Sequence, residues 1–244
     1  MNGSHRLGRL FLIPTPLADN EGVDFPPGTI EAIHQLRHFI VEKAKTARRF
    51  VSKTNHPLEI RSLEFNEIPK HSQVDAYALL KSCRAGHDTG LMSEAGAPCV
   101  ADPGAVIVRV AHELDIEVIP LVGPSALLLA LMASGLNGQK FAFLGYLPAN
   151  KSQLAGQLKK LEQRSARFRE TLMFIETPYR NTQVVEQSLA ILRSDTLLSI
   201  AVDLSAPRSQ WIKTKTIGQW KRSKLPDLYK RPAVFSILAT RKSG

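Results

Sequence analysis

The stretch LMSEAGAPCVADPGA, Leu91–Ala105, holds two glycines, two prolines, four alanines and two carboxylates. Neither an amphipathic helix nor a half-buried strand has that make-up. Apolar sequence flanks it on both sides, DTGLM before and AVIVRV after. The pattern reads as a strand that ends in an unusually bare turn and re-enters a helix. Small residues there let a ligand approach the backbone and use its N–H and C=O groups.

Working outward, RLFLIPTP (Arg9 to Pro16) is a short buried strand stopped by prolines. GTIEAIHQLRHFIVEK is a helix running into a strand, with Thr29 expected as N-cap and Glu31 in the first turn. KTARRFVSKT follows as a short helix with a basic face. SQVDAYALLKSCRAG reads as one helix, capped by Ser72 and stopped at Gly86. GAVIVRVAHELD and PSALLLALMASG are helices on either side of the strand IEVIPLVG. Beyond them, KFAFLGYLP, TLMFIETP and LLSIAVDLS are strands separated by the helices QLAGQLKKLEQR and YRNTQVVEQSLAILRS. WIKTKTIGQW and PAVFSILATRK close the chain as strands, expected antiparallel. Strands alternating with helices predict mostly parallel sheets covered on both faces. A boundary at Val122–Gly123 would give two α/β lobes, 1–122 and 123–244.

The chain has 244 residues, 43% of them hydrophobic, enough for two ordinary cores. Its longest apolar run, Val118 to Leu136, is broken by Pro120, Gly123, Pro124 and Gly135, so no membrane span is expected. Cys83 and Cys99 form no Cys-x-x-Cys pair, which points away from a zinc site or disulfide framework and towards a reducing cytoplasm. His34 and His38 are four apart, but no third ligand is near them, and no metal is expected. Net charge is +10 and unevenly spread. Residues 1–122 carry 13 Lys+Arg against 15 Asp+Glu, a balance of −2; residues 123–244 carry 19 against 7, a balance of +12. Such a surplus suits a polyanionic partner, of which nucleic acid is the commonest, or a solvated basic surface.

Three strand ends carry turn chemistry: IPTPLADN, MSEAGAPCVADPG and PLVGPSA. Neither the Gly-x-Gly-x-x-Gly nor the Gly-x4-Gly-Lys-Ser/Thr spacing of a phosphate cradle is present. The ordered set Pro-Thr-Pro, SEAGAPCVADPG, VIPLVGPSA, SGL…FAFLGYLPA and FIETPYR resembles the class III, tetrapyrrole-methylase-like, S-adenosylmethionine-dependent methyltransferases. Within them it is most similar to the branch that methylates ribose 2′-hydroxyls of small-subunit ribosomal RNA. The likeness runs from about Leu10 to about Arg180.

That resemblance implies the tetrapyrrole methylase fold: an α/β chain of two αβα lobes with a cofactor cleft between them, usually a homodimer. It implies S-adenosylmethionine as cofactor and ribosomal RNA or the small ribosomal subunit as partner. Carried over by position, Pro14 and Pro16 belong to the first loop. Glu94, Ala95, Gly96, Ala97 and Pro98 would line the methionine and ribose side, with Val100 and Ala101 on the same wall. Ser125 and Ala126 would meet the methionyl part, while Ile175, Glu176 and Ala233 would close over adenine.

The chain departs from the branch at four places. Ala18 replaces a glycine, Lys43 stands where Asp is usual, Glu94 replaces Asp, and VDLSAPR replaces Arg-Glu-Leu-Thr-Lys, leaving Asp203, Ser205 and Arg208. The cofactor side therefore matches better than the acceptor side. A ribose hydroxyl is a poor nucleophile and needs a nearby base. Glu42 and Glu67 are the candidates, with Lys45 and Arg48 placed to hold phosphate. The same residues also read as a surface acid paired with Lys43 or Lys45, and as a solvent-facing acid. Trp211 and Trp220 would either stack on bases or pack in a core, and Tyr146 or Tyr179 would touch acceptor or cofactor. A small-molecule methylase acting on a tetrapyrrole, or a non-catalytic RNA-binding relative, remain the alternative readings.

Overall fold

Alternate side chains along the first two strands enter different cores. From β1 (Leu10–Ile13), Leu10 joins one cluster while Phe11 and Ile13 join another; from β2 (His38–Val41), Ile40 joins the first while Phe39 and Val41 join the second. Period-two alternation with both sides apolar means a sheet buried on both faces. The computed structural model of the chain describes residues 6–18, 25–69 and 73–239. It divides into two units, Met1–Ser125 and Ala126–Gly244.

In the first unit β1 and β2 are joined by β3 (Glu64–Glu67), β4 (Thr89–Met92) and β5 (Val118–Pro120) in one sheet of order β3-β2-β4-β1-β5. Every pairing in it is parallel. On one face lie α1 (Pro27–Gln35) and α2 (Ala44–Lys53), contributing Ile33, Ala47, Phe50 and Val51. On the other lie α3 (Ala76–Leu79), α4 (Lys81–Arg84) and α5 (Gly104–Glu113), contributing Ala76, Cys83, Ile107 and Ala111. The neighbouring strands β1 and β4 thus feed helices on opposite faces. That reversal opens a crevice at their carboxyl ends, where α/β sheets bind ligands.

The second unit begins at α6 (Ala126–Ser134). Its sheet contains β6 (Phe141–Tyr146), β7 (Thr171–Ile175), β8 (Leu197–Val202), β9 (Trp211–Thr216) and β10 (Ala233–Leu238) in the order β6-β7-β10-β8-β9. Only β6 and β7 pair in parallel; β7–β10, β10–β8 and β8–β9 are antiparallel. One face packs on α7 (Lys151–Phe168), α8 (Asn181–Ile191) and α9 (Ile217–Trp220) through Leu154, Leu158, Val184, Val185, Ile217 and Trp220. The other meets α6, where Thr214 Oγ1 donates to Ser134 O at 2.7 Å.

The antiparallel end of the chain is as expected, but it makes the second sheet mixed rather than mostly parallel. Thr29 does not cap α1: Pro26 is the N-cap, Pro27 opens the helix, and Thr29 donates its hydroxyl to Val122 O at 2.8 Å. A proline first turn has no N–H to satisfy there. The expected helix from Ser72 to Gly86 is two short helices meeting at Leu80; Asp75 caps the first by accepting from Ala78 N. Ser72 lies outside the described residues, as do Asp19 and Asn20 of the first loop. Of WIKTKTIGQW, the last four residues are helical because Thr216 and Gln219 form a reciprocal capping box. His34 is on α1 and His38 on β2, bonded to Thr54 O and Glu64 respectively rather than to each other.

Candidate active site at the carboxyl ends of the first sheet

The first loop and the bare turn are bolted together. Thr15 N donates to Gly96 O at 2.9 Å and Gly96 N to Thr15 O at 3.0 Å, a two-bond antiparallel bridge. Thr15 Oγ1 reaches Ser93 O at 3.3 Å, and Ser93 Oγ donates back to Gly96 O at 3.0 Å. Gly96 has φ +78°, and a Cβ there would stand 2.9 Å from Leu17 Cδ2. The position therefore favours glycine by its backbone conformation, and a side chain there would also displace the tip of Leu17. Pro14 is buried and Pro16 half-buried; a Cβ on Gly123 would lie 2.5 Å from Pro14 Cβ, so the third turn also closes on the first.

The rest of the stretch is held in a rarely used backbone form. Cys99 and Ala101 have φ +68° and +66°, left-handed for residues that carry a Cβ. The Asp102 carboxylate secures that path by accepting from Cys99 N at 2.8 Å and Gly104 N at 2.7 Å. Burial pushes the Asp102 carboxyl above its ordinary range, while these N–H bonds pull it back. Burial, with Asp102 adding, pushes the Cys99 thiol up to about 11, so it is a thiol and not a nucleophile at neutral pH. Glu94, Ala95, Val100 and Ala101 are exposed, Ala97 is half-buried, and Gly96 and Pro98 are buried. Backbone outliers of this kind cluster at binding and switch sites.

Next to this turn the structure gathers the acids. Glu42 follows β2, and its Oε1 accepts from Glu94 N at 2.8 Å. Glu94 Oε1 accepts from Thr46 Oγ1 at 2.5 Å. Glu67, at the end of β3, accepts from Ala44 N at 2.6 Å and so caps α2 from outside the helix. Two carboxylates from neighbouring strand ends, Glu67 and Glu94, thus meet the first turn of α2, and Glu42 joins them through Glu94 N. Lys43 and Lys45 flank them, both exposed. Arg48 lies over the Phe65 ring at 5.2 Å. Thr46 was not foreseen from sequence: its bond to Glu94 spans 48 residues, a distance that local spacing does not encode.

Other expected residues belong to the second unit or to its border. Ser125 is the last residue of the first unit, and Ala126 opens α6. Ile175 ends β7 opposite Val234, which brings Glu176 beside Ala233 at one end of the second sheet. The Glu176 side chain is wholly buried, 2.7 Å from Arg180 Nη1, with no aligned hydrogen bond to either oxygen. Burial raises its pKa, against the pull of Arg180. Trp220 is buried and donates Nε1–H to Leu198 O at 2.9 Å, so it serves the core; Trp211, partly buried, packs with its ring centroid 6.0 Å from that of Trp220. Tyr146 and Tyr179 are 58% and 68% exposed, each open to a ligand. Among the described residues no group of three or more His, Cys, Asp or Glu is arranged to hold a metal ion, and no helix is long and apolar enough to cross a membrane.

No family model matches the chain. It is 30% identical over 214 residues to ribosomal RNA small subunit methyltransferase I of Bacillus subtilis, covering 87% of this chain and 69% of that protein. Against the protein of the same name from Escherichia coli O157:H7 it is 30% identical over 198 residues, covering 81% and 66%. The chain thus spans about two thirds of the length of these relatives. Its fold is similar to that in the crystal structure of the methyltransferase CobJ, with TM-score 0.63, 17% identity and 97% of both chains covered. The likeness in order and extent to these relatives, together with the turn geometry just described, identifies the chain as a methyltransferase that belongs to the ribosomal RNA small subunit methyltransferase I family.

Proposed function

We propose that the chain transfers the methyl group of S-adenosylmethionine to a ribose 2′-hydroxyl of small-subunit ribosomal RNA, acting in the cytoplasm as a homodimer. The observation that carries this reading is the bond of Glu42 to Glu94 N, two residues before the Gly96 turn, with Glu67 and Glu94 both held by the first turn of α2 at neighbouring strand ends. The residues fit the cofactor: a strained, nearly side-chain-free turn accepts a flat ligand against backbone, and Glu94 is an exposed acid for an ammonium group. Pro14, Pro16 and Ala95 to Ala101 would form its floor, Ser125 and Ala126 would meet its methionyl end, and Ile175, Glu176 and Ala233 would take its adenine. The sulfonium supplies an activated methyl, so the protein need only align the acceptor and exclude water.

In this reading Glu42 is the general base that takes the hydroxyl proton, its position fixed by the bond to Glu94 N. Glu67 holds the first turn of α2 in place through Ala44 N, and Lys45 and Arg48 contact phosphate. The test is transfer of tritium from labelled S-adenosylmethionine to small ribosomal subunits from a strain lacking this methylation, with the product nucleoside identified by mass spectrometry. A 2′-O-methylnucleoside supports the reading. A methylated base, or labelling of a tetrapyrrole instead, overturns it.

A further inference from the structure

The last turn of α7 carries a feature that the proposed chemistry leaves unused. Phe168 is 45% exposed, with Lys140 Nζ and Arg167 Cζ each 5.1 Å from its ring centroid. Arg169 follows as the C-cap in the left-handed conformation, φ 53° and ψ 41°, where glycine is the ordinary residue. One side chain organises the group. Asn137 Nδ2 donates to Arg169 O at 2.7 Å, while its Oδ1 accepts from Gln139 N at 3.0 Å and Lys140 N at 3.3 Å. Lys140 O in turn accepts from Thr171 N at 2.9 Å. The cations and the ring therefore stand on a pinned backbone.

The helix that leads to this point extends the positive field. Lys151, Lys159, Lys160, Arg164 and Arg167 all face solvent on α7, and its single acid, Glu162, is buried against Arg193 N and Thr196 Oγ1. Arg164 is paired with Glu170; among the described residues no acidic side chain pairs with Lys140, Arg167 or Arg169. A helix C-terminus favours cations through its dipole, which accounts for Arg167. It accounts neither for Lys140, which is off the helix, nor for an exposed aromatic ring beside two cations.

We infer that Phe168, with Lys140, Arg167 and Arg169, is a docking site for an unpaired nucleotide of the RNA substrate. An exposed aromatic ring with cations beside it suits an unpaired nucleotide, the ring for the base and the cations, which are free to swing off it, for the adjoining phosphates. This inference rests on the reading that the chain acts on ribosomal RNA.

The test uses the full chain and two fluorescein-labelled probes, a 12-nucleotide oligouridylate and a paired RNA duplex of equal length, followed by anisotropy over a range of salt. Phe168→Ala is expected to weaken oligouridylate binding about ten-fold and duplex binding much less. Replacing Lys140, Arg167 and Arg169 together by Gln is expected to lower the salt slope by about 2, near 0.7 per phosphate contact on a single strand. Arg169→Gly separates recognition from folding, since glycine suits the left-handed backbone: its melting temperature is expected to hold or rise while RNA binding weakens. If Phe168→Ala and Arg169→Gly both bind oligouridylate within two-fold of the parent while the parent methylates subunits, this inference fails and the family reading stands. Should the parent neither bind RNA nor label ribosomal subunits, both fail.

Discussion

The two units handle charge in opposite ways. The first, with a balance of −2, spends its acids at strand ends, where Glu42, Glu67 and Glu94 bond to backbone and to Thr46. The second, at +12, buries acids such as Glu162 and Glu176 and leaves its cations on the surface. Their sheets differ as well, one wholly parallel and the other mainly antiparallel. A parallel sheet puts all its carboxyl ends at one edge and so can assemble a site from several turns. A mixed sheet scatters those ends and is better suited to presenting a face. In the proposed reading the first unit performs the chemistry and the second recognises the polyanion.

The sharpest way to break this comparison is to damage one core and follow the other. Trp220→Ala removes a fully buried indole and its bond to Leu198 O, and is expected to cost about 3–5 kcal/mol. Hydrogen exchange should show protection lost in β7, β8 and β10 and kept in β1, β2 and β4. Equal loss in both units would mean that they unfold as one.

Glu42→Gln tests where the chemistry lies. Its amide oxygen can still accept from Glu94 N, so folding should change little while methyl transfer falls about 100-fold. A rate within three-fold of the parent at saturating substrate would remove Glu42 as the base. Gly96→Val forces a branched side chain into φ +78° against Leu17. It is expected to destabilise the first unit by about 1–3 kcal/mol and to abolish cofactor binding in calorimetry. Unchanged cofactor affinity would show that the turn is structural only.

The smallest effect is a pH dependence in the second unit. Because the folded-state pKa of Glu176 is raised by burial, the native state holds its proton where the unfolded chain has released it. Its contribution is present below the unfolded value, near 4.5, and is lost as pH rises through the higher folded value. Glu176→Gln should therefore flatten that part of the stability profile in denaturant melts from pH 4 upward. A profile of unchanged slope would show that the Arg180 pair keeps the acid ionised.

Much of the first unit's site was legible along the chain, because turn chemistry is local. Leu91–Ala105 announces a bare, irregular turn through composition alone, and the ordered motifs around it mark the family. Glu42 and Glu67 were legible as candidates but not as partners, since the bonds that define them run from Glu67 to Ala44 and from Glu42 to Glu94 across separate strands. Thr29 misled because the Pro26-Pro27 pair sets the helix start more firmly than a hydroxyl does. Trp211 and Trp220 sit among lysines in sequence, yet strand alternation and the α9 capping box turn them inward.

Sequence by itself determined most of the strands and helices, though not β3, the break at Leu80 or α9, together with the charge asymmetry and the bare turn, because periodicity, glycine and proline act over a few residues. Only the tertiary structure decided which strand ends are neighbours. It alone brought Glu67 and Glu94 to one helix N-terminus and set Lys140 beside Phe168, 28 positions away along the chain. Such pairings depend on sheet order and crossover, whose energy is shared among many distant contacts and is written in no single stretch.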